Sequence, residues 1–195
     1  ACSGRSLKRM QPEDQPKSAL GITWDIVRDE FIYGRFPEES DVTFTKRGLL
    51  SATMSIYDPI GLLAPIVCTA KIIMRRVVES NCHWDAPLVA EIEAEFRRWL
   101  RDLQCLESSH IPRFIGTLDF GEIIRHELHI FADGAHPAYG SCGYIRLVGL
   151  DGRVHCSLVM AKTRICPKKG KLTIPRIELS SAVLASRMVT LLQKE

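Results

Sequence analysis

The spacing of apolar residues changes once along this chain, near Ile111, and no other feature limits the fold as strongly. Beyond that point the runs ELHIFAD, AYGSCGYIRLV and RVHCSLVMAKT alternate in twos, the period at which successive side chains leave opposite faces of a strand. Their connections are short and rich in Gly, Pro and Asp, so three consecutive antiparallel strands are the simplest arrangement. A helix is predicted from about Ile174, with Pro175 suited to its first turn, to the chain end.

Upstream the pattern is helical. Leu49, Leu50, Met54 and Tyr57 mark a helix from about Thr45 that ends at Asp58-Pro59-Ile60-Gly61, where proline denies the preceding residue a helical conformation and glycine opens a turn. PIVCTAKIIMRRVVES carries Ile66, Ala70, Ile73 and Val77 on one face. A third helix from about Leu88 to Leu106 repeats Ile92, Phe96, Trp99 and Leu103. ALGITWDIVRDEFIYGRF reads as a β-hairpin, and residues 1–19 as a tail or linker. The fold class is therefore mixed α/β of the α+β kind: a helical region, then a three-stranded antiparallel sheet with one packed helix.

Composition excludes several classes. The seven cysteines form an odd set without a C-x-x-C pair, which argues for reduced, intracellular thiols over a disulfide framework or a zinc site. No run approaches the ~18 apolar residues of a membrane span, and the polar N-terminus has no signal core. A net charge of +3 is too small to imply nucleic acid by itself, so any basic patch must be local. Lys71, Arg75 and Arg76 give the second helix a basic side, and Lys162, Arg164, Lys168, Lys169 and Lys171 form a denser run before the last helix. Each set reads either as a solvated surface or as a grip on phosphates. His126, His129, His136 and His155 lack metal-ligand spacing and read as strand-face or edge residues. Cys142 and Cys156 read as small core residues, and Trp24, Trp84 and Trp99 as core rather than base-stacking groups.

Two acids stand out. Asp133 sits at the seam of two alternating runs, where Asp-Gly is either a hairpin turn or the end of a strand delivering a carboxylate to a site. Glu178 falls within a helical stripe of Ile174, Ala182, Ala185, Met188, Val189 and Leu192. It reads either as a charge near a helix start or as a ligand, since a carboxylate among apolar groups needs a basic residue, a proton or a metal as partner.

Three antiparallel strands with an acid on the first, then a helix with an acid near its start, resemble the opening half of a ribonuclease H domain. The flanks narrow the resemblance. "TKRGLLSATMSIYDPIGLLAPIVCTAKIIMRRV", "IPRFIG", "ELHIFADGAHPAYGSCGYIR", "LVMAKTRICP" and "LTIPRIELSSAVLASRMV" are similar to the Pol polyprotein of BEL/Pao long-terminal-repeat retrotransposons, including the segment often labelled Pao retrotransposon peptidase. This resemblance implies a reverse transcriptase thumb and connection over residues 20–120 and the N-terminal half of a ribonuclease H-like domain over 121–195. It further implies that Asp133 and Glu178, with two later acids, hold two Mg²⁺ or Mn²⁺ ions that cleave the RNA of an RNA–DNA hybrid, the chain alone holding metal weakly. The implied partners are the hybrid and the rest of the polyprotein, with no membrane, and the implied location is the cytoplasm, in particles, or the nucleus.

The chain departs from that pattern in two places. The family commonly carries Asp-Ala-Ser on the first strand, where this chain has Asp133-Gly134-Ala135, and the sequence stops before the strand bearing the third acid. It neither begins with methionine nor ends outside a helical pattern, so it reads as a piece of a longer protein, inactive alone and prone to self-association through the open edge of residues 127–133. The alternative is a non-catalytic nucleic-acid-binding or structural remnant. Polymerisation is not assigned, because no Asp-Asp pair occurs, and an aspartic peptidase is disfavoured because neither Asp-Thr-Gly nor Asp-Ser-Gly occurs.

Overall fold

A computed structural model describes residues 17–19, 22–107, 109–113, 120–167 and 172–194. Strands β1 (Lys17–Ala19), β2 (Ile22–Asp25), β3 (Glu30–Tyr33) and β4 (His110–Pro112) form an antiparallel sheet in that order. The predicted hairpin is β2–β3. The strand at Lys17–Ala19 lies within the stretch read as a tail, where polar composition hid three residues that need only a neighbouring backbone to pair with. Helices α1 (Lys46–Met54), α2 (Ala64–Glu79) and α3 (Ala90–Gln104) form where predicted, α2 and α3 with the predicted faces inward, whereas α1 buries Leu49, Ala52 and Thr53 and leaves Leu50 and Met54 exposed, as it does Tyr57 beyond its end. Thr45 caps α1 by accepting the Gly48 N–H on its hydroxyl. Leu49, Ala70, Ile73, Val77, Phe96, Leu100 and Leu103 are buried together with Tyr33 and Phe36 in one core.

Strands β5 (Ile123–Ala135), β6 (Ala138–Gly149) and β7 (Val154–Ile165) form a second antiparallel sheet in sequential order, as the period-two runs predict. Asp133 pairs with Gly140 inside the ladder, and the turn is made by His136 and Pro137, whose peptide bond is cis. Asp133-Gly134 is thus strand and not turn. Among the described residues β5 has no partner on its outer edge.

Helix α4 (Ile174–Leu192) crosses one face of this sheet, burying Ile177, Ser181, Leu184 and Met188, the three apolar side chains contributing roughly 1.5–3 kcal/mol each. This corrects the predicted stripe: Ile174, Ala182 and Glu178 are exposed. Ser181 tolerates burial because its hydroxyl donates to the Glu178 carbonyl at 2.7 Å. Cys156, read as core, is exposed on the edge strand β7.

The helical half meets the sheet at the turn after α1. The Ile60 carbonyl accepts the Ala161 N–H at 2.7 Å, and Gly61 (φ +82°) lies so near β7 that an added Cβ would sit 1.8 Å from the Ala161 oxygen. Asp58 holds this turn by accepting the Leu63 N–H at 2.8 Å. The Thr163 hydroxyl donates to the Ala64 carbonyl at 3.3 Å, which places the start of α2 beside the sheet face that α4 leaves open.

Candidate functional site

Strand alternation decides where Asp133 points. Gly134 backs onto α4, where a Cβ would lie 2.8 Å from Ile177 Cγ2 and 2.9 Å from the Ile177 carbonyl oxygen. Asp133, one residue earlier, leaves on the opposite face. There it lines a cleft of about 630 Å³ between α2 and the open face of the sheet, with Pro65, Cys68, Phe131, Cys142 and Thr163. Its Oδ1 accepts the Gly134 N–H at 2.8 Å, which fixes the carboxylate at the rim.

A second groove, of about 380 Å³, shares Ala64, Ala161, Lys162 and Thr163 with the first. Lys71 of α2 and Arg164 of β7 also line it, opposite Met54 and Asp58, although Arg164 pairs with Tyr139 on the α4 side of the ladder and borders a hollow with Leu179 and Arg187 there as well. The two hollows adjoin across the Ala64–Thr163 contact as one interrupted passage, with Asp133 in the first, Lys71 in the second and Lys162 lining both.

The remaining basic candidates are engaged elsewhere. Arg75 donates to Glu79 at 3.0 Å and to the Cys166 carbonyl at 2.7 Å, tying α2 to the end of β7. Arg76 pairs with Glu95 of α3. Both fasten the molecule together, and sequence spacing shows a basic face but not the carboxylates that meet it. Lys168, Lys169 and Lys171 lie outside the described residues.

Glu178 is exposed on α4 and lines neither hollow. It adjoins Ile177, the residue that Gly134 meets, whereas Asp133 leaves on the face opposite α4. Among the described residues no group of three or more His, Cys, Asp or Glu side chains is placed to hold a metal ion. A pair of carboxylates offers hard oxygen donors, which suits a Mg²⁺ that takes one or two protein carboxylates and completes its shell with substrate phosphate and water. It does not suit a zinc cage.

The histidines lie on the strands and on the turn between β5 and β6. His129 contacts Glu127 at 3.2 Å and His136 meets the Leu172 carbonyl at 3.0 Å. Glu127 shares the Asp133 face of β5, and hydrogen bonds from Arg146 and then His129 hold its carboxyl below the usual range. Phe131, 58% exposed on that same face, was missed because alternation marks two faces of a strand without saying which is covered. Among the described residues no helix is long and apolar enough to cross a membrane.

Comparison with known proteins identifies a family. The model of the Pao retrotransposon-like RNaseH-like domain matches residues 45–195, from the cap of α1 to the chain end. No curated protein matches the chain.

Proposed function

This chain belongs to the Pao retrotransposon-like RNaseH-like domain family, and from that premise we propose that its passage receives the backbone of an RNA–DNA hybrid. The RNA strand of that hybrid is cleaved by metal-assisted hydrolysis in the whole Pol polyprotein. The observation that carries this reading is that the hollow holding Asp133 adjoins the one lined by Lys71, Lys162 and Arg164. The three cations meet successive phosphates and displace their counterions. The wall of α2 and the open sheet face read the shape of the duplex, and contacts to 2′-hydroxyls distinguish its RNA strand.

Asp133 and Glu178 are the residues that would hold a divalent ion. When bound, such an ion supplies Lewis-acid polarisation of the phosphate and an activated water. Asp133 is oriented for ligation by the Gly134 N–H on its Oδ1. Two carboxylates are fewer than the four acids that the ribonuclease H resemblance calls for, so this chain alone is expected to bind a hybrid without cutting it.

The test is the salt dependence of binding to a fluorescein-labelled hybrid, followed by anisotropy. Replacing Lys71, Lys162 and Arg164 together by Ala should flatten the slope of log affinity against log salt by about 2.7, at about 0.9 for each phosphate contact. An unchanged slope would overturn the assignment. Arg75→Ala should instead lower stability and leave the slope alone.

A further inference from the structure

Trp84 lies at the opposite end of α1 from the basic groove, and unlike the other two tryptophans it faces solvent. Trp99 is buried and donates its indole N–H to the Ile66 carbonyl, and Trp24 donates to Asp29. Trp84 is 46% exposed. Its loop is nonetheless firmly held. The Arg47 N–H donates to the Trp84 carbonyl at 3.0 Å, the Arg47 guanidinium grips both Asp85 oxygens at 2.7 and 3.1 Å, and Thr45 and Pro87 form a β-bridge. The Lys46 ammonium lies over the ring at 4.6 Å from its centroid, and the Arg47 guanidinium at 5.9 Å.

A fixed, exposed indole with a cation beside it is the combination that takes a stacked base together with its phosphate. The surface between Trp84 and the groove supports the same occupant. Arg47, Leu50, Ser51 and Met54 are all exposed, at spacings of three and four that put them on one side of α1. Met54 already belongs to the wall of the Lys71–Lys162–Arg164 groove. Residues 47 and 54 are ~10 Å apart along the helix, at ~1.5 Å per residue.

Resting on the reading of the passage as a hybrid-binding site, we propose that Trp84 is a stacking platform for an unpaired base. That base belongs to a single-stranded extension of the strand held in the groove, and the outer side of α1 is the path between them. Lys46 faces the phosphate next to the stacked base. Asp85 neutralises Arg47, so the platform adds the Lys46 charge and the exposed part of the indole, and the groove supplies the remaining charge.

The experiment compares three labelled ligands on the 195-residue chain by fluorescence anisotropy: a blunt RNA–DNA hybrid, the same hybrid with a uridine extension, and the same hybrid with an abasic extension of equal length. The wild type should bind the uridine-extended form roughly tenfold more tightly than either of the others. Trp84→Ala should abolish that difference and leave the blunt hybrid unaffected, while Trp84→Phe should keep most of it. Lys162→Glu should weaken all three. Equal affinity for the uridine and abasic extensions would overturn the platform and leave the passage standing, and would point to a protein as the occupant of Trp84. Failure to bind even the blunt hybrid would overturn both. A melting curve of Trp84→Ala identifies any loss caused by unfolding, and in that event Trp84→Phe with the abasic comparison decides.

Discussion

At the scale of single residues, Gly134 is closely enclosed next to Asp133. Its α-carbon touches the first turn of α4, and the obstacle to a methyl group includes a main-chain oxygen of Ile177 that cannot rotate aside. Gly134→Ala should therefore push α4 outward and destabilise the chain by roughly 1–3 kcal/mol. A thermal melt would read this as about 2–4 °C for each kcal/mol. Restoring the Asp-Ala pair that is common in the resembled family is thus predicted to harm this member, whose helix sits closer than an alanine allows. An unchanged melting temperature would mean that α4 yields freely. Asp133-Gly134 also marks the limit of what the residues alone could tell. Two residues cannot distinguish a turn from a strand whose glycine makes room for a helix about forty positions later, and the flanking motifs, through their resemblance, pointed to the strand.

At the scale of elements, the three long strands and four helices were legible because each repeats its period over several turns or pleats. The orientation of α4 was not. This helix is apolar almost all round, with Leu179 64% exposed and Ile174, Val183 and Leu191 also facing water, so apolarity does not select one side. The buried side includes a serine whose hydroxyl is satisfied within its own helix, a partner no composition plot reveals. Leu184→Ala should cost roughly 2–5 kcal/mol, as deletion from a packed interface does. Leu179→Ala should change stability by less than about 0.5 kcal/mol. Urea midpoints of the two variants check this, and equal midpoints would mean that the helix does not lie on the sheet by the side described.

At the scale of the whole molecule, the passage has one wall from each half, so its width depends on the joint between them. That joint is the Asp58–Gly61 turn seated on β7, with Arg75 and Thr163 fastening it further along. The sequence marked this turn as a helix stop and nothing more, because its second role is a contact a hundred residues away. Gly61→Ala, strained by its φ of +82° and blocked by β7, should loosen the joint. Tryptophan fluorescence reports only the helical half, which contains Trp24, Trp84 and Trp99, whereas far-UV circular dichroism sees both halves. The two denaturation curves should coincide in the wild type and separate in the variant, with weaker hybrid binding. Coincident curves in the variant would mean that the halves are coupled elsewhere. The seat of Gly61 also bears on how this chain can vary. What a side chain at 61 would strike is the carbonyl of residue 161, which every amino acid carries, so no exchange at 161 makes room for it. A lineage that lost this glycine could recover only by moving the whole turn, and position 61 is therefore without a compensating partner.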